Sequence, residues 1–141
     1  MARCDVKLPE DLLSRMEGLG SRFDEVASSV LEAGGKVVLD ETRKRLSAVI
    51  GKDTKEKSQS TGTLLSSLGL SKARVGKNGN HDIKVGFSEH RADGKSNAMI
   101  ANILEYGRHN QKAKPFLKPA KTASRSAAVE AMAEKLKEET G

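Results

Sequence analysis

The clearest β pattern in the 141-residue chain is a single hairpin, and it limits what the rest of the chain can become. Ile83, Val85 and Phe87 alternate with Lys84 and Gly86 across residues 81–88, and a second extended run covers about 70–75. Between them lies Lys77-Asn78-Gly79-Asn80, and Asn-Gly suits a tight hairpin turn because both central residues need positive φ. A lone hairpin is barely stable in water, so one of its faces must be covered by helices. With so few strands the sheet would also keep open edges unless another chain pairs with them, which makes oligomerisation the natural remedy.

The helices that supply the cover are legible on both sides. Leu8-Pro9-Glu10-Asp11 reads as a helix start, with Leu12, Leu13, Met16 and Leu19 following at helical spacing and Gly18 and Gly20 loosening the end. A longer helix is expected over about 21–50, where Phe23, Val26, Val30, Ala33 and Val37 share one stripe. Beyond Gly34-Gly35 the apolar positions become Leu39, Leu46 and Ile50, on roughly the opposite face. Either the helix bends at the glycines or its two halves pack against different things, the second of them a neighbouring subunit.

Residues 51–62 read as a polar loop, and Thr61-Gly62-Thr63 opens a short helix through Leu64, Leu65 and Leu68. After the hairpin and a second polar loop over 89–96, Asn97 caps a short helix carrying Met99, Ile100, Ile103 and Leu104, which Gly107 ends. The last helix opens at Lys114-Pro115-Phe116-Leu117-Lys118-Pro119 and runs to about Glu138, with Ala120, Ala123, Ala127 and Ala131 inward. The fold class expected is therefore α+β: a small antiparallel sheet built on a β-hairpin, packed against a long N-terminal helix and a C-terminal helix. One domain is expected over 1–141, with 1–20 as a helical extension and 21–138 as the α+β body.

Charge is unevenly spread. The net +6 divides into 8 basic and 9 acidic residues over 1–50 against 17 and 10 over 51–141. From Tyr106 to Arg125 there are six basic residues and no acid, so Arg108, Lys112, Lys114 and Lys118 are candidates for a non-specific DNA contact. No run approaches the roughly 18 apolar residues of a membrane span, and no membrane partner is expected. Cys4 stands alone, which excludes an internal disulfide and reads as a spare N-terminal thiol.

No pattern of reactive residues emerges. Gly94-Lys95-Ser96 lacks the glycine five residues upstream that a phosphate loop needs, because Glu89 stands there. His81, His90 and His109 have no metal-ligand spacing and read as surface residues. No serine sits in a nucleophile elbow, and Glu105 is the single acid between Asp93 and Glu130, too few carboxylates for paired acid and base work. Catalytic, cofactor and metal sites are accordingly not expected, and an enzyme is not the reading.

The most specific stretch is Ala98-Met99-Ile100-Ala101-Asn102-Ile103-Leu104-Glu105-Tyr106-Gly107, followed after seven residues by Pro115-Phe116-Leu117-Lys118-Pro119-Ala120. It resembles the tail-completion, head–tail connector or minor tail component family of long-tailed, lambda-like bacteriophages and prophages. There a helix ending in Glu-aromatic-Gly precedes Pro-Phe-Leu-Arg/Lys-Pro-Ala and a final helix. The resemblance extends weakly upstream through Thr61-Gly62-Thr63-Leu64, covering about 20–135, and departs at Arg108, where threonine is usual.

That resemblance implies a structural protein of phage or prophage virion assembly. It implies a ring of this chain's own copies that completes the tail or joins it to the head, docked on neighbouring connector or tail proteins. Its place would be the virion, at the head–tail junction or tail, after assembly in the bacterial cytoplasm. Glu105, Tyr106, Gly107, Pro115, Phe116, Leu117 and Pro119 are then candidates for subunit contact, or else make a well-formed turn between two helices, in which Glu105 caps or pairs with a basic side chain, Tyr106 buries its ring with the hydroxyl wet and Gly107 turns the chain. The alternative function is a small basic cytoplasmic DNA-binding protein.

Overall fold

A computed structural model describes residues 4–49, 67–75, 81–88, 97–107 and 112–140. In chain order the elements are β1 (Cys4–Lys7), α1 (Glu10–Met16), a 3₁₀ segment (Glu17–Arg22), α2 (Phe23–Val49), β2 (Leu68–Leu70), β3 (Arg74–Val75), β4 (His81–Phe87), α3 (Asn97–Tyr106) and α4 (Leu117–Thr140). The expected α+β class is what the chain adopts, a small antiparallel sheet with long helices against it.

β4 is the central strand, with β1 along one side and β2 and β3 along the other, all antiparallel to it. The hairpin holds, but with a bulge. Leu70 pairs with Val85 and Arg74 with Asp82, so three residues on one strand oppose two on the other. Ser71 fills the gap in the ladder: its amide donates to Lys84 O at 2.8 Å, and its hydroxyl accepts the Lys84 amide at 2.9 Å. Leu68, expected at the end of a short helix, is buried in β2 opposite Phe87. The turn 76–80, the loops 51–62 and 89–96, and Ile50 lie outside the described residues.

Residues 4–20 are more than a helical extension. Cys4–Lys7 forms an edge strand on β4, and Cys4, Val6, Leu8, Leu12 and Met16 belong to the same buried cluster as α2 and α4. The signal was there in miniature, since Cys-Asp-Val-Lys alternates inward and outward residues for four positions. On the outer side Asp5 stands opposite Lys84 and Lys7 opposite Asp82, an arrangement that a one-residue slip of register would destroy. Cys4 is thus a core residue, and burial is the main cause that pushes its thiol pKa upward, against a lowering by nearby Lys121.

A raised pKa in the folded chain means that the fold favours the protonated thiol. The stability this contributes is fully present below the ordinary thiol range of about 8.5 and declines as pH rises through it toward the folded value. Urea midpoints at pH 7 and pH 10 should therefore separate further for the wild type than for Cys4→Val, and a disulfide reagent should label Cys4 only after unfolding.

α2 is one continuous helix through Gly34-Gly35. The two glycines serve two neighbours instead of a bend. A Cβ on Gly34 would lie 2.7 Å from Met132 Cγ of α4, while one on Gly35 would lie 3.0 Å from Leu70 and 3.1 Å from Ile83 of the sheet. The helix is gripped on one side by α4 and on another by β2 and β4. Leu46 is fully buried and Leu39 packs against the same core, so the second half of α2 serves its own chain.

α4 runs antiparallel to α2, and Arg22 Nη2 donates to Glu139 O at 2.9 Å near the far end. Its buried face is Leu117, Ala120, Ser124, Ala128, Met132 and Leu136; Ala123 and Ala127 are exposed. The stripe turns out to follow a four-residue step, as does Val30, Gly34, Val38, Thr42 and Leu46 on α2, which lets ridges of the same kind interdigitate. The hydroxyls buried in the seam are satisfied locally, Thr42 donating to Val38 O at 2.7 Å and Ser124 to Ala120 O at 2.6 Å.

His81 is buried, contrary to its surface reading. Its Nε2 lies 2.9 Å from Asp24 Oδ1 and its ring 5.1 Å from that of Phe23. The carboxylate can only accept, so Nε2 carries the proton. His90 and His109 lie outside the described residues.

Candidate functional site

The segment singled out in the sequence closes on itself through one carboxylate. Glu105 is 4% exposed. Its Oε1 accepts the amides of Phe116 at 2.8 Å and Leu117 at 2.7 Å, and its Oε2 accepts that of Lys118 at 3.1 Å. These are the first-turn amides of α4, which have no partner inside the helix. Pro119, next in line, has no N–H, and the Ala120 amide makes the first helical bond to Phe116 O at 3.1 Å. Every first-turn amide is accounted for, and the carboxylate's charge sits at the positive end of the helix dipole.

The rest of the motif brings the two partners together. Gly107 has φ 77°, a left-handed value that glycine adopts without strain, and its amide closes α3 onto Ile103 O at 2.7 Å. The Lys114 amide then donates to Leu104 O at 2.6 Å, which brings the returning chain back beside the end of α3. Phe116 is fully buried and meets Phe87 edge-on at 6.0 Å, and Leu117 is buried with it. Both side chains anchor their own core, so neither is at the surface to meet a neighbouring subunit.

What remains outside is a small apolar surface. Because Glu105 turns inward, the next residue on the last turn of α3 projects outward, and Tyr106 is 69% exposed instead of burying its ring. Tyr106, Pro115, Lys118, Pro119, Thr122 and Ala123 line an open groove of about 630 Å³ with Glu105 at its base. Thr122 has no role in the sequence reading and Ala123 is expected inward; their four-residue step from Lys118 and Pro119 is the signal that places them there. Tyr106→Ala should leave the unfolding free energy from urea titration within about 0.5 kcal/mol of wild type, the usual range for an exposed position, so that it isolates a surface role.

The basic candidates fall along the same end of the molecule. Lys112 and Lys118 are exposed and Lys114 is half-buried, while Arg108 lies outside the described residues. Further along α4, Lys121 and Arg125 are exposed beside a second groove of about 520 Å³ between α4 and the β1–α1 segment, where Asp5 also stands. Asp5 Oδ1 is buried without a hydrogen-bond partner. Among the described residues no group of three or more His, Cys, Asp or Glu is placed to hold a metal, and no helix is long and apolar enough to cross a membrane.

Residues 10–107 match the family described as "Bacteriophage HK97-gp10, putative tail-component", about seven-tenths of the chain. The chain belongs to this phage tail-component family. The match runs from the start of α1 through Gly107, so it includes Glu105 but ends before the helix that Glu105 caps. No curated protein and no solved structure matches the chain. Within this tail-component family member, the buried cap explains why Glu-Tyr-Gly and Pro-Phe-Leu-Lys-Pro occur together: one supplies the acceptor and the turn, the other the amides and the anchor.

Proposed function

We propose that this protein is a structural subunit of the phage virion, acting in tail completion or head–tail joining through ring-like association of its own copies. The observation that carries the reading is the match of residues 10–107 to the phage tail-component family. The surface fits it: an exposed tyrosine beside two prolines at a rigid helix entry is a contact feature, held by a buried cap. The work is done by shape and association, without catalysis, and the partners are neighbouring connector or tail proteins. Assembly takes place in the bacterial cytoplasm.

The test is a deletion in a phage that encodes the protein, followed by electron microscopy of lysates and mass spectrometry of purified particles. Filled heads lacking functional tails, and the protein present in wild-type virions, are expected. Normal infectious particles from the deletion, or virions without the protein, would overturn the assignment.

A second reading, duplex DNA binding, is favoured by the exposed Lys112, Lys118, Lys121 and Arg125. Phosphate contacts release counterions, so it demands affinity that falls steeply with salt. Charge reversal at Lys112, Lys114 and Lys118 that leaves DNA retention and assembly unchanged would sink it.

A further inference from the structure

Two antiparallel helices give this molecule opposite charge at its two ends. In α4, residues 117–128 carry Lys118, Lys121 and Arg125 without an acid, while residues 129–140 carry Glu130, Glu134, Glu138 and Glu139 against Lys135 and Lys137. α2 has the complementary order: Asp24, Glu25 and Glu32 against Lys36 in its first half, then Arg43, Lys44 and Arg45 against Asp40 and Glu41. The Arg22–Glu139 hydrogen bond places the acidic half of one helix beside the acidic half of the other. The pair is therefore net −4 over one half and +4 over the other, with helix lengths near 40 Å at 1.5 Å per residue.

The cationic end is also the end that carries the apolar groove with Tyr106 and Pro119 at its rim. The acidic end carries half-buried Leu19 and Phe23 beside exposed Glu25, Glu134 and Glu138. Lys135 offsets part of that charge through contacts to Glu138 and Glu139 at 3.5 Å, and Asp24 is engaged by His81, so Glu25, Glu32, Glu130 and Glu134 are the acids of this half with no opposing group in contact among the described residues.

We propose that copies of this chain associate head to tail, the cationic grooved end of one receiving the acidic end of the next. The inference rests on the ring-forming reading above and names the surfaces that make it. Such a contact is heterologous: each subunit uses two different patches, and the assembly closes into a ring when the rotation between neighbours allows. A second copy is favoured over DNA as the occupant because the chain carries its own matching countercharge at the opposite end. Tyr106 supplies an aromatic anchor within the charged rim, the arrangement in which a few residues dominate a contact.

Sedimentation of the full-length protein at millimolar concentration tests this. Association at low salt that reverts to monomer as salt is raised is expected. Lys118→Glu with Lys121→Glu and Arg125→Glu should raise the dissociation constant by about 100-fold, and Glu25→Lys with Glu134→Lys and Glu138→Lys should do the same. An equimolar mixture of the two variants should associate again, because each then offers the end the other lacks. Tyr106→Ala, which keeps every charge, should weaken association by about tenfold and serves if a triple variant fails to fold.

A wild type that stays monomeric at low salt, a folded triple variant that associates like wild type, or a mixture that stays monomeric would each overturn the proposal. A duplex that binds the wild type while self-association survives charge reversal would assign the basic end to DNA instead. Failure of the virion reading itself is seen separately, as absence of the protein from purified particles.

Discussion

Glu105→Ala should lower the unfolding free energy by about 3–5 kcal/mol, read as a shift of the urea midpoint at unchanged slope. The carboxylate accepts three amides, two of the bonds buried, and truncation leaves the two buried donors without their partner. An unsatisfied buried polar group costs about 1–3 kcal/mol, and a charged acceptor strengthens each bond it made. This exceeds an ordinary cap, worth about 1 kcal/mol, because three amides depend on one side chain. Glu105→Gln keeps one acceptor oxygen and turns an NH₂ toward the amides, so its loss should fall between Ala and wild type. A loss below about 1 kcal/mol for Glu105→Ala would show that the α4 entry is held by the Phe116 anchor alone.

Gly34→Leu should be comparably damaging, although leucine is the better helix former by about 0.8 kcal/mol. At an exposed site the change would stabilise α2. Here the first added carbon already lies 2.7 Å from Met132 Cγ and 3.1 Å from its Sδ, and the remaining three carbons would have to enter the seam with α4. Overpacking costs about 1–3 kcal/mol when a core can adjust, and more when two helices must separate. About 3 kcal/mol or more is expected. Met132→Ala makes room, so the double variant should be more stable than the sum of the single changes predicts, and additivity within about 0.5 kcal/mol would refute the contact.

The parts of the fold that were legible are those where local chemistry and tertiary context agree. The Ile83-Val85-Phe87 alternation, the Pro9 helix start and the Gly107 stop all describe elements whose neighbours ask for the same residues. β1 was missed because four residues are too short for periodicity to outvote the helix signal that follows, and only pairing with β4 makes Cys4 a core residue. The inward face of α4 was misplaced because alanine suits a helix on either face. Its true face is set by Met132 meeting Gly34, a long-range fit that no local pattern contains. Leu46 likewise reads as a second face until α4 is in position.

The site was half legible for a related reason. Glu105 was readable as a cap or an ion-pair partner, but that its acceptors serve amides 11 to 13 residues later needs the return of the chain through Lys114. Tyr106 went the other way from its expected burial because its neighbour took the inward position. The same geometry converts Phe116 and Leu117 from candidate contacts into anchors, leaving the prolines and the tyrosine as the outer surface.

The seam between Gly34 and Met132 joins residues almost a hundred positions apart, and Arg22 meets Glu139 across a still longer span. On a ribosome adding about 5–20 residues per second, α2 waits about 5–20 s after its synthesis for the helix that completes it. Contacts of such separation also slow folding in general, since a large loop must close before they form. The part of the cationic end that carries Lys118, Lys121 and Arg125 lies on that last helix, so it is made after the acidic residues of α2 and docks only when the chain is nearly complete. A nascent chain therefore cannot present both ends in their native relation before α4 has been made and has docked.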